Sequence, residues 1–319
     1  MNLAFRKVLV VDDCPVTLAR LSKELQTAGF IVTTATNGAD ALAEIQNACP
    51  DYVITDWRMP ILDGQMLCQC IRSGEKINQY VYVILMTAHS ELMDLADGLG
   101  TGADDYITKP IDIRELIARM KNGSRILELD RRLSHAASHD PLTGMLNRRT
   151  MFSTMNNLIE VCERKSMPVA CIMVDIDNFK TINDKYGHPY GDQILIQVAE
   201  CLAVRFRQAD FVCRYGGEEF AIVLPECSEA GAAACAERCR EDLQHLSFLA
   251  NGNERFNVTA SFGCAVLDKN GTSAELIDLA DKALLKAKSN GRDQVVRFSE
   301  LTTLGSNEAN IVPINQAMA

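Results

Sequence analysis

Acidic side chains in the N-terminal half of the chain are spaced so that they could hold a metal ion. Asp12 and Asp13 end one short apolar run, and Asp56 ends another. If these runs are neighbouring parallel strands, the three carboxylates meet at one sheet edge, where their charges would repel without a cation. Oxygen ligands of this kind suit a hard divalent cation such as Mg²⁺. Thr87 and Lys109 end two further runs. A single aspartate at a strand end is often only a cap, but the joint placement indicates a site.

A second acidic group lies in the C-terminal half. Asp175 and Asp177 end the apolar run "CIMV", and Glu218 and Glu219 follow two glycines between two other apolar runs. Gly-Gly in this position predicts a hairpin with a type I′ turn, which needs positive φ at both central residues. Carboxylates gathered beside such a hairpin could hold one or two Mg²⁺ ions for phosphoryl or nucleotidyl transfer. The glycines would let the backbone approach a nucleotide closely.

Polar residues near the second acidic group suit a guanine nucleotide. Asn183 and Asp192 offer an amide and a carboxylate, and a carboxylate accepts from the guanine N–H groups that adenine lacks. Lys180, Lys288 and Arg292 could supply positive charge for a triphosphate. Any one of these lysines could equally be an ordinary surface residue.

Two kinds of element must position these side chains. Up to about residue 120, short apolar runs alternate with helical segments, which predicts a doubly wound parallel sheet of five strands with its site at the carboxyl ends of the strands. From His139 onward, helices and apolar runs indicate an α+β unit.

Residues 112–138 read as one long helix between the two units, with Gly123 as a weak point. Ile126, Leu129 and Leu133 form a short apolar stripe on it, which favours a paired, coiled-coil-like stalk. A single helix that packs on its own domain is the alternative. His135 and His139 have i, i+4 spacing, which without an accompanying metal motif is typical of a solvated helix.

The N-terminal half resembles the receiver domains of two-component response regulators, which have a flavodoxin-like fold. "VDD" (11–13), "DWRMPILDG" (56–64), "MTA" (86–88) and "KP" (109–110) carry the resemblance. It implies that Asp56 accepts a phosphoryl group from a cognate histidine kinase. By the same resemblance, Asp12, Asp13, Asp56 and the carbonyl of Arg58 would form the Mg²⁺ site, and Thr87, Tyr106 and Lys109 would be the switch residues.

The C-terminal half resembles the GGDEF family of diguanylate cyclases, with a nucleotide-cyclase-like α+β fold. "DPLTGMLNRR" (140–149), "DIDNFKTINDKYGHPYGD" (175–192), "RYGGEEF" (214–220), "ASFG" (260–263) and "AKSNGRDQV" (287–295) carry this resemblance. It implies that two such domains, each with one GTP, form cyclic di-GMP and release pyrophosphate, so that a homodimer is the active form.

The GGDEF resemblance assigns roles to individual residues. Glu218 would bind metal and assist deprotonation of the ribose 3′-hydroxyl, with the division of roles between Glu218 and Glu219 left open. The metal site, for Mg²⁺ with Mn²⁺ as an alternative, would consist of Asp175, the carbonyl of Ile176, Glu218 and Glu219. Substrate binding would fall to Phe179, Lys180, Asn183, Asp192, Gly216, Gly217, Lys288 and Arg292.

A regulatory motif precedes the glycine pair. Arg207 and Asp210 form an Arg-x-x-Asp sequence, and five residues (211–215) separate it from the glycine pair. The pair alone could be a surface ion pair of little energetic value. The resemblance implies instead that it binds cyclic di-GMP as a product-inhibition site, with Arg238 as an additional arginine.

Composition narrows the remaining possibilities. The net charge of −10 argues against a general nucleic-acid-binding surface, and no run approaches the roughly 18 apolar residues of a membrane span. Twelve scattered cysteines without a Cys-x-x-Cys pair indicate reduced core residues, so we expect a cytoplasmic protein without nucleic-acid or membrane partners.

These observations predict four segments: a receiver domain at 1–122, a helical linker at 123–138, a diguanylate cyclase domain at 139–299 and a disordered tail at 300–319. Phosphorylation of Asp56 is expected to activate the cyclase by promoting pairing. A catalytically inactive module that senses cyclic di-GMP is the alternative function.

Overall fold

A computed structural model describes residues 5–74, 77, 79–88, 102–207, 209–250, 254–267 and 271–301. The chain divides into two compact units, Met1–Ser134 and His135–Ala319. The predicted boundary between receiver and linker at 122/123 stays a prediction, and most of the predicted tail lies outside the described residues. Among the helices that the structure describes, none is long and apolar enough to cross a membrane.

The first unit is a parallel five-stranded sheet with helices between its strands. The sheet order is β2-β1-β3-β4-β5, and all pairs are parallel. The elements are β1 (Lys7–Val11), α1 (Pro15–Thr27), β2 (Ile31–Ala35), α2 (Gly38–Ala48), β3 (Tyr52–Asp56), α3 (Gly64–Ser73), β4 (Tyr82–Thr87), β5 (Asp105–Thr108) and α4 (Ile113–Ser138). Strands β1, β3 and β4 are apolar nearly throughout because helices cover both faces of a doubly wound sheet.

Helix α4 is continuous from Ile113 to Ser138 and packs on the first unit well beyond its first turns. Gly123 is not a weak point: a Cβ there would lie 2.7 Å from Cε1 of Tyr82, so the missing side chain lets the helix pack closely on that ring. Leu127 is 2% exposed, whereas Ile126, Leu129 and Leu133 are 46%, 60% and 63% exposed. The helix therefore has a buried face against its own unit and a separate exposed apolar stripe.

The second unit is a mixed six-stranded sheet covered by helices. Its elements are β6 (Leu146–Asn147), α5 (Arg148–Arg164), β7 (Val169–Ile176), α6 (Phe179–Tyr186), α7 (His188–Ala203), β8 (Phe211–Arg214), β9 (Glu219–Pro225), α8 (Glu229–Gln244), β10 (Ser247–Ala250), β11 (Glu254–Asn257), β12 (Ala260–Val266), α9 (Ser273–Ser289) and β13 (Val295–Arg297). The main sheet has the order β13-β12-β7-β9-β8-β6, and β10 and β11 pair separately.

The centre of the second sheet is apolar on both faces. Strand β7 is buried along its full length between β9 and β12, both antiparallel to it. Its alternate side chains enter two different clusters, one with α7 and α8 and the other with α5 and α9. The predicted fold classes of both units are thus confirmed, and the end of β7 is fixed by packing on all sides.

Candidate functional site

The first site lies at the carboxyl ends of β1 and β3. Carboxylate oxygens of Asp12, Asp13 and Asp56 lie within 4.8 Å of one another, and no other group of three His, Cys, Asp or Glu side chains in the described ranges is gathered so closely. Asp12 is fully buried and accepts a hydrogen bond from the backbone N–H of Cys14, 2.8 Å away. The three predicted carboxylates therefore form one cluster of oxygen donors.

Lys109 balances part of this negative charge. Its Nζ lies 2.8 Å from Oδ2 of Asp56 and 3.2 Å from Oδ2 of Asp12. Burial raises the pKa of Asp56, although Lys109 opposes that effect. Burial would lower the pKa of Lys109, but the hydrogen bond and charge of Asp56 raise it. The ammonium group thus stays charged beside the carboxylate that is predicted to accept a phosphoryl group.

A glycine fixes the backbone that follows Asp56. A Cβ on Gly64 would overlap the carbonyl oxygen of Asp56, and the Gly64 N–H donates to the carbonyl of Trp57 at 3.0 Å. The N–H of Trp57 in turn donates to Oδ1 of Asp56 at 2.8 Å. The motif "DWRMPILDG" therefore folds back on itself. Its last residue, Gly64, must be small because it packs directly against the backbone of its first residue, Asp56.

The other predicted switch residues lie near the same sheet edge. Thr87 ends β4 and is fully buried, and Tyr106 lies on the neighbouring strand β5, half-buried against an apolar cluster. Arg58 is exposed two residues after Asp56. Thr87 and Tyr106 are two register positions apart across β4 and β5, where Leu85 is opposite Tyr106 and Thr87 is opposite Thr108.

In the second unit, the end of β7 brings Asp175 opposite Glu219. The two residues are register partners across β7 and β9, and Nζ of Lys288 lies 2.7 Å from Oδ2 of Asp175. Burial raises the pKa of Glu219, and the charge of Asp175 adds to it while Lys288 opposes it. Burial also raises the pKa of Asp175, against the effect of Lys288. Two crowded carboxylates with one ammonium group form an arrangement that a divalent cation would stabilise.

Glu218 directly precedes Glu219 in the sequence, and a backbone hydrogen bond fixes its position next to Asp175 and Glu219. Its carbonyl accepts a hydrogen bond from the N–H of Ile176 at 3.3 Å, which fastens the hairpin to the end of β7. The carboxylates of Asp175, Glu218 and Glu219 do not form a cluster as compact as the first one in the part of the chain that the structure describes.

The glycine pair lies in a hairpin, but the predicted type I′ turn is wrong. Strands β8 and β9 pair antiparallel around residues 215–218, and neither Gly216 nor Gly217 has a positive φ. The connection is four residues long, with Tyr215 and Gly216 both donating to the carbonyl of Glu219. A Cβ on Gly216 would overlap Oε2 of Glu219, so that carboxylate would have to move, whereas a Cβ on Gly217 would meet nothing within 4 Å.

The predicted guanine-reading residues lie on α6 and α7. Asn183 Oδ1 is buried and has no hydrogen-bond partner within the described residues. A Cβ on Gly191 would overlap this oxygen, so Asn183 occupies space that only glycine leaves free, and Phe179 is buried beside them. Asp192 follows Gly191 and is exposed. A buried amide oxygen without a hydrogen-bond partner lowers the stability of the folded protein unless a ligand donates a hydrogen bond to it.

The positively charged candidates differ in their surroundings. Lys288 contacts Asp175, and Lys180 is exposed in the first turn of α6. Arg292 follows α9 with a φ of 66°, and its charge acts on the carboxyl group of Asp175. Lys288 and Arg292 are therefore close to the acidic pair.

Asp177 has a structural role that the sequence did not reveal. Its carboxylate accepts hydrogen bonds from Oγ1 of Thr259 and Oγ of Ser261, both at 2.7 Å, and from the N–H of Asp293 at 3.0 Å. It is 4% exposed. The side chain ties β7 to the segments around β12 and after α9, and these bonds leave it a poor metal ligand.

Sequence reasoning also missed Arg214. Its NH1 contacts both carboxylate oxygens of Asp140 at 3.0 and 3.2 Å, while Nε and NH2 donate to the carbonyl of Gly217 at 3.2 and 2.8 Å. Asp140 also accepts from the N–H and Oγ1 of Thr143. The signal was present in the sequence: an arginine next to a glycine turn has carbonyls in reach, and Asp-x-x-Thr is typical of a side-chain-closed turn.

The Arg-x-x-Asp motif forms a compact turn. The N–H of Arg207 donates to Oδ2 of Asp210 at 2.8 Å, and the N–H of Asp210 donates to the carbonyl of Arg207 at 3.0 Å. Arg238 is exposed on α8 and its NH2 lies 3.1 Å from Sγ of Cys235. Burial raises the pKa of Cys227, with contributions from Cys235 and Asp210, which places this thiol beside both the turn and α8.

Both acidic sites fit a hard divalent cation. Their donors are carboxylate oxygens, which suit Mg²⁺ and Mn²⁺ and not soft metals. The raised pKa values of Asp56, Asp175 and Glu219 show in each site that protein charges alone do not fully compensate the carboxylates. A cation at either site would supply that compensation.

Comparison with known proteins matches two family models to this chain. Residues 8–121 match the response regulator receiver domain, and residues 137–294 match the diguanylate cyclase, GGDEF domain. The chain is 34% identical over 300 residues to the response regulator PleD of Caulobacter vibrioides, an alignment that covers 91% of this chain and 65% of PleD. It is also 34% identical over 192 residues to the diguanylate cyclase DosC of Escherichia coli, with 59% of this chain and 42% of DosC covered. The chain thus spans less than two thirds of the length of either relative.

The structure is similar to a solved complex. The coiled coil and GGDEF domain of DgcB from Caulobacter crescentus, crystallised with c-di-GMP, superposes with a TM-score of 0.55 at 26% sequence identity. The superposition covers 58% of this chain and 97% of the DgcB chain.

Proposed function

The chain belongs to the response regulators that join a receiver domain to a GGDEF domain, and on that premise we propose that it is a phosphorylation-regulated diguanylate cyclase. The observation that carries the proposal is the pairing of Asp175 with Glu219 beside the glycine hairpin. It puts two partly uncompensated carboxylates next to backbone that a nucleotide can approach.

The substrate is GTP, and Asn183 and Asp192 recognise its guanine base. The buried Oδ1 of Asn183 lacks a partner in the described part of the chain, and a guanine N–H donor would satisfy it. Asp192 is exposed and can accept further guanine N–H groups, a contact that adenine cannot reproduce. Phe179, Gly216 and Gly217 shape the surroundings, and Gly191 makes the position of Asn183 possible.

Charged residues of the site bind the triphosphate and the metal. Lys180, Lys288 and Arg292 supply positive charge to the phosphates. Asp175, Glu218, Glu219 and the carbonyl of Ile176 would hold Mg²⁺, or Mn²⁺ in its place. Such a cation would supply positive charge to the phosphate that is transferred.

Glu218 accepts the proton of the ribose 3′-hydroxyl as that oxygen attacks the α-phosphate of the second GTP. The assignment rests on the different environments of the two glutamates: Glu219 is opposite Asp175 in the sheet, and Glu218 is placed at the turn. Each domain holds one GTP, so two chains must face each other to form cyclic di-GMP and two pyrophosphates.

Phosphorylation of Asp56 by a histidine kinase controls whether two GTP-loaded chains pair. Lys109 already contacts Asp56, and a phosphoryl group would add oxygens that compete for its ammonium and for the hydroxyl of Thr87. Tyr106, on the neighbouring strand, responds to that change, and the exposed stripe on α4 offers a surface for pairing. Asp12, Asp13, Asp56 and the carbonyl of Arg58 would hold the Mg²⁺ of this site.

Product inhibition acts at Arg207, Asp210 and Arg238. The fixed turn of Arg207 and Asp210 presents an exposed guanidinium that can bind phosphate and stack on guanine. Arg238 lies on the adjacent helix next to Cys235 and adds a second guanidinium.

One experiment tests the central proposal. The purified chain is incubated with GTP and Mg²⁺ and the product is identified by mass, with Glu218→Ala as the control. We expect cyclic di-GMP from the wild type and none from the variant. If the wild type shows no turnover but still binds cyclic di-GMP at Arg207 and Asp210, the protein would be a sensor of cyclic di-GMP and not a cyclase.

A second experiment tests regulation separately. Beryllofluoride, which mimics the phosphoryl group, is expected to raise cyclase activity in the wild type and to leave Asp56→Ala unchanged. Equal responses in the two proteins would contradict control through Asp56 without affecting the cyclase assignment.

A further inference from the structure

The turn after α9 holds two neighbouring residues in a left-handed backbone conformation. Arg292 has a φ of 66° and Asp293 a φ of 45°. In the described part of the chain, no other two adjacent non-glycine residues both have positive φ. Aspartate tolerates this region better than arginine does, and such a conformation persists only where the surrounding structure fixes it. The contacts of this turn therefore show what its conformation is fixed to.

Hydrogen bonds fix one side of the turn to the end of β7. The backbone N–H of Asp293 donates to Oδ2 of Asp177 at 3.0 Å, and Nε2 of Gln294 donates to the carbonyl of Arg292 at 3.2 Å. Asp177 is buried and lies two residues after Asp175, the carboxylate of the acidic pair. The position of the Arg292 backbone is thus set relative to Asp175.

The carboxylate of Asp293 fixes the other side of the turn to α8. NH1 of Arg240 donates to its Oδ1 at 2.9 Å, and Nε2 of Gln244 donates to its Oδ2 at 2.6 Å. Glu237 accepts from Nε and NH2 of the same guanidinium at 3.0 and 2.6 Å, so Arg240 is itself held in place. The Arg240 side chain is only 16% exposed, and salt therefore screens its ion pair with Asp293 little.

The turn presents the side chain of Arg292 beside the acidic pair. This side chain is exposed, and its charge acts on the carboxyl group of Asp175. A glycine at position 292 would form the same turn without strain, so the strain accompanies a guanidinium placed near Asp175. An arginine that starts from a fixed backbone position loses less conformational freedom when it binds a phosphate, and this preorganisation raises affinity.

We propose that Arg240 and Asp293 are positioning residues of the triphosphate site, because they hold the backbone of Arg292 where its guanidinium reaches the phosphates. This inference rests on the proposed function, in which Arg292 binds the triphosphate of GTP. Helix α8 thus contributes to GTP affinity without supplying the group that binds phosphate.

The test measures equilibrium binding of 3′-deoxy-GTP to the full chain by calorimetry in the presence of Mg²⁺. This analogue lacks the attacking hydroxyl, so no product forms during the titration. The variants are Arg240→Met, Asp293→Gly, Arg292→Ala and the double variant that combines Arg240→Met with Arg292→Ala. Asp293→Gly removes the carboxylate together with the strain at its φ, so it tests the same contact if Arg240→Met impairs folding.

The matched control is Asp242→Ala, which breaks a different ion pair of α8, the contact with Arg205. Thermal unfolding shows whether each variant is folded at the temperature of the titration. A purely structural role of the Arg240 contact would lower the Tm without a specific loss of nucleotide affinity.

We expect Arg240→Met, Asp293→Gly and Arg292→Ala each to weaken binding about tenfold or more, and Asp242→Ala to bind like the wild type. The double variant should bind no more weakly than Arg292→Ala alone, because Arg240 acts only through Arg292.

Wild-type affinity in Arg240→Met and Asp293→Gly, losses that add in the double variant, or an equal loss in Asp242→Ala would overturn the positioning role and leave the proposed function intact. Failure of the wild type to bind, or equal binding by the wild type and Arg292→Ala, would contradict the proposed triphosphate site and the positioning role with it.

Discussion

Arg214 joins Asp140, two residues after the end of α4, to the turn of the glycine hairpin. The ion pair is bidentate on the side of Asp140, and the same guanidinium donates twice to the carbonyl of Gly217. Side-chain exposures of 16% and 19% place it away from bulk water, where an ion pair of good geometry is screened little. A single side chain thus connects the segment directly after α4 to the glycine hairpin.

We predict that Arg214→Lys lowers the kcat of the cyclase by about tenfold to a hundredfold and leaves KM for GTP nearly unchanged. A lysine cannot contact Asp140 and the Gly217 carbonyl at once. The turn then loses the hydrogen bonds to the Gly217 carbonyl, and Glu218 is no longer held in its position. Arg205→Lys is the control, because Arg205 contacts the carboxylate of Asp242 through two nitrogens at another surface. Equal losses in both variants would mean that the effect is general destabilisation.

The two glycines of the hairpin should respond differently to alanine. Gly216→Ala introduces a Cβ that overlaps Oε2 of Glu219, so this carboxylate must move and activity should fall more than a hundredfold. Gly217→Ala meets no atom within 4 Å and has no φ penalty, so the free protein should melt at the wild-type Tm. If the nucleotide lies over the turn, Gly217→Ala should still lose GTP binding. The measurement is GTP affinity beside thermal unfolding, and unimpaired GTP binding in Gly217→Ala would place the nucleotide elsewhere.

Removing the charge of Glu219 should stabilise the protein. Its pKa is raised above the ordinary 4.5 by burial and then by Asp175, so the folded state binds this proton more tightly than the unfolded state. The charged carboxylate therefore costs stability at neutral pH, and the cost disappears as the pH falls through the raised pKa towards 4.5. Without divalent cations, Glu219→Gln should raise the Tm by on the order of 2 °C at pH 8 and by less at pH 5.

Glu218→Gln is the matched control for that experiment, because Glu218 is not a register partner of Asp175. Its Tm should rise less than that of Glu219→Gln at pH 8, because Glu218 makes the smallest contribution to the raised pKa of Glu219. Both variants should lose cyclase activity. A stabilisation of Glu219→Gln that is the same at pH 5 and pH 8 would show that charge is not its cause.

Strand ends were predictable from the sequence, and contacts between distant turns were not. Asp12, Asp56 and Asp175 follow apolar runs, and a parallel or antiparallel neighbour brings such ends together whatever the detailed packing. The contact of Arg214 with Asp140 joins residues 74 positions apart. Nothing in either segment alone specifies the other, so only the assembled sheet reveals it. Likewise, Gly216 and Gly217 were interpreted through φ, whereas close approach to Glu219 is what the first of them provides.

Contacts of the first unit continue along α4 beyond residue 122. Tyr82 packs on Gly123, Leu127 is 2% exposed, and Arg131 forms an ion pair with the carboxylate of Asp51. A fragment of residues 1–122 lacks all three contacts, and a fragment of residues 1–134 keeps them. Burial of one leucine alone stabilises by about 1.5–3 kcal/mol.

We therefore expect the shorter fragment to melt on the order of 10 °C below the longer one in a thermal unfolding experiment. Arg131→Ala in the longer fragment separates the ion pair from apolar burial. It should lower the Tm by only a few degrees, because Asp51 keeps its bonds to Arg6 and to the N–H of Lys7. Equal Tm values for the two fragments would place the end of the domain at residue 122, and α4 beyond it would then be a linker that the receiver does not need.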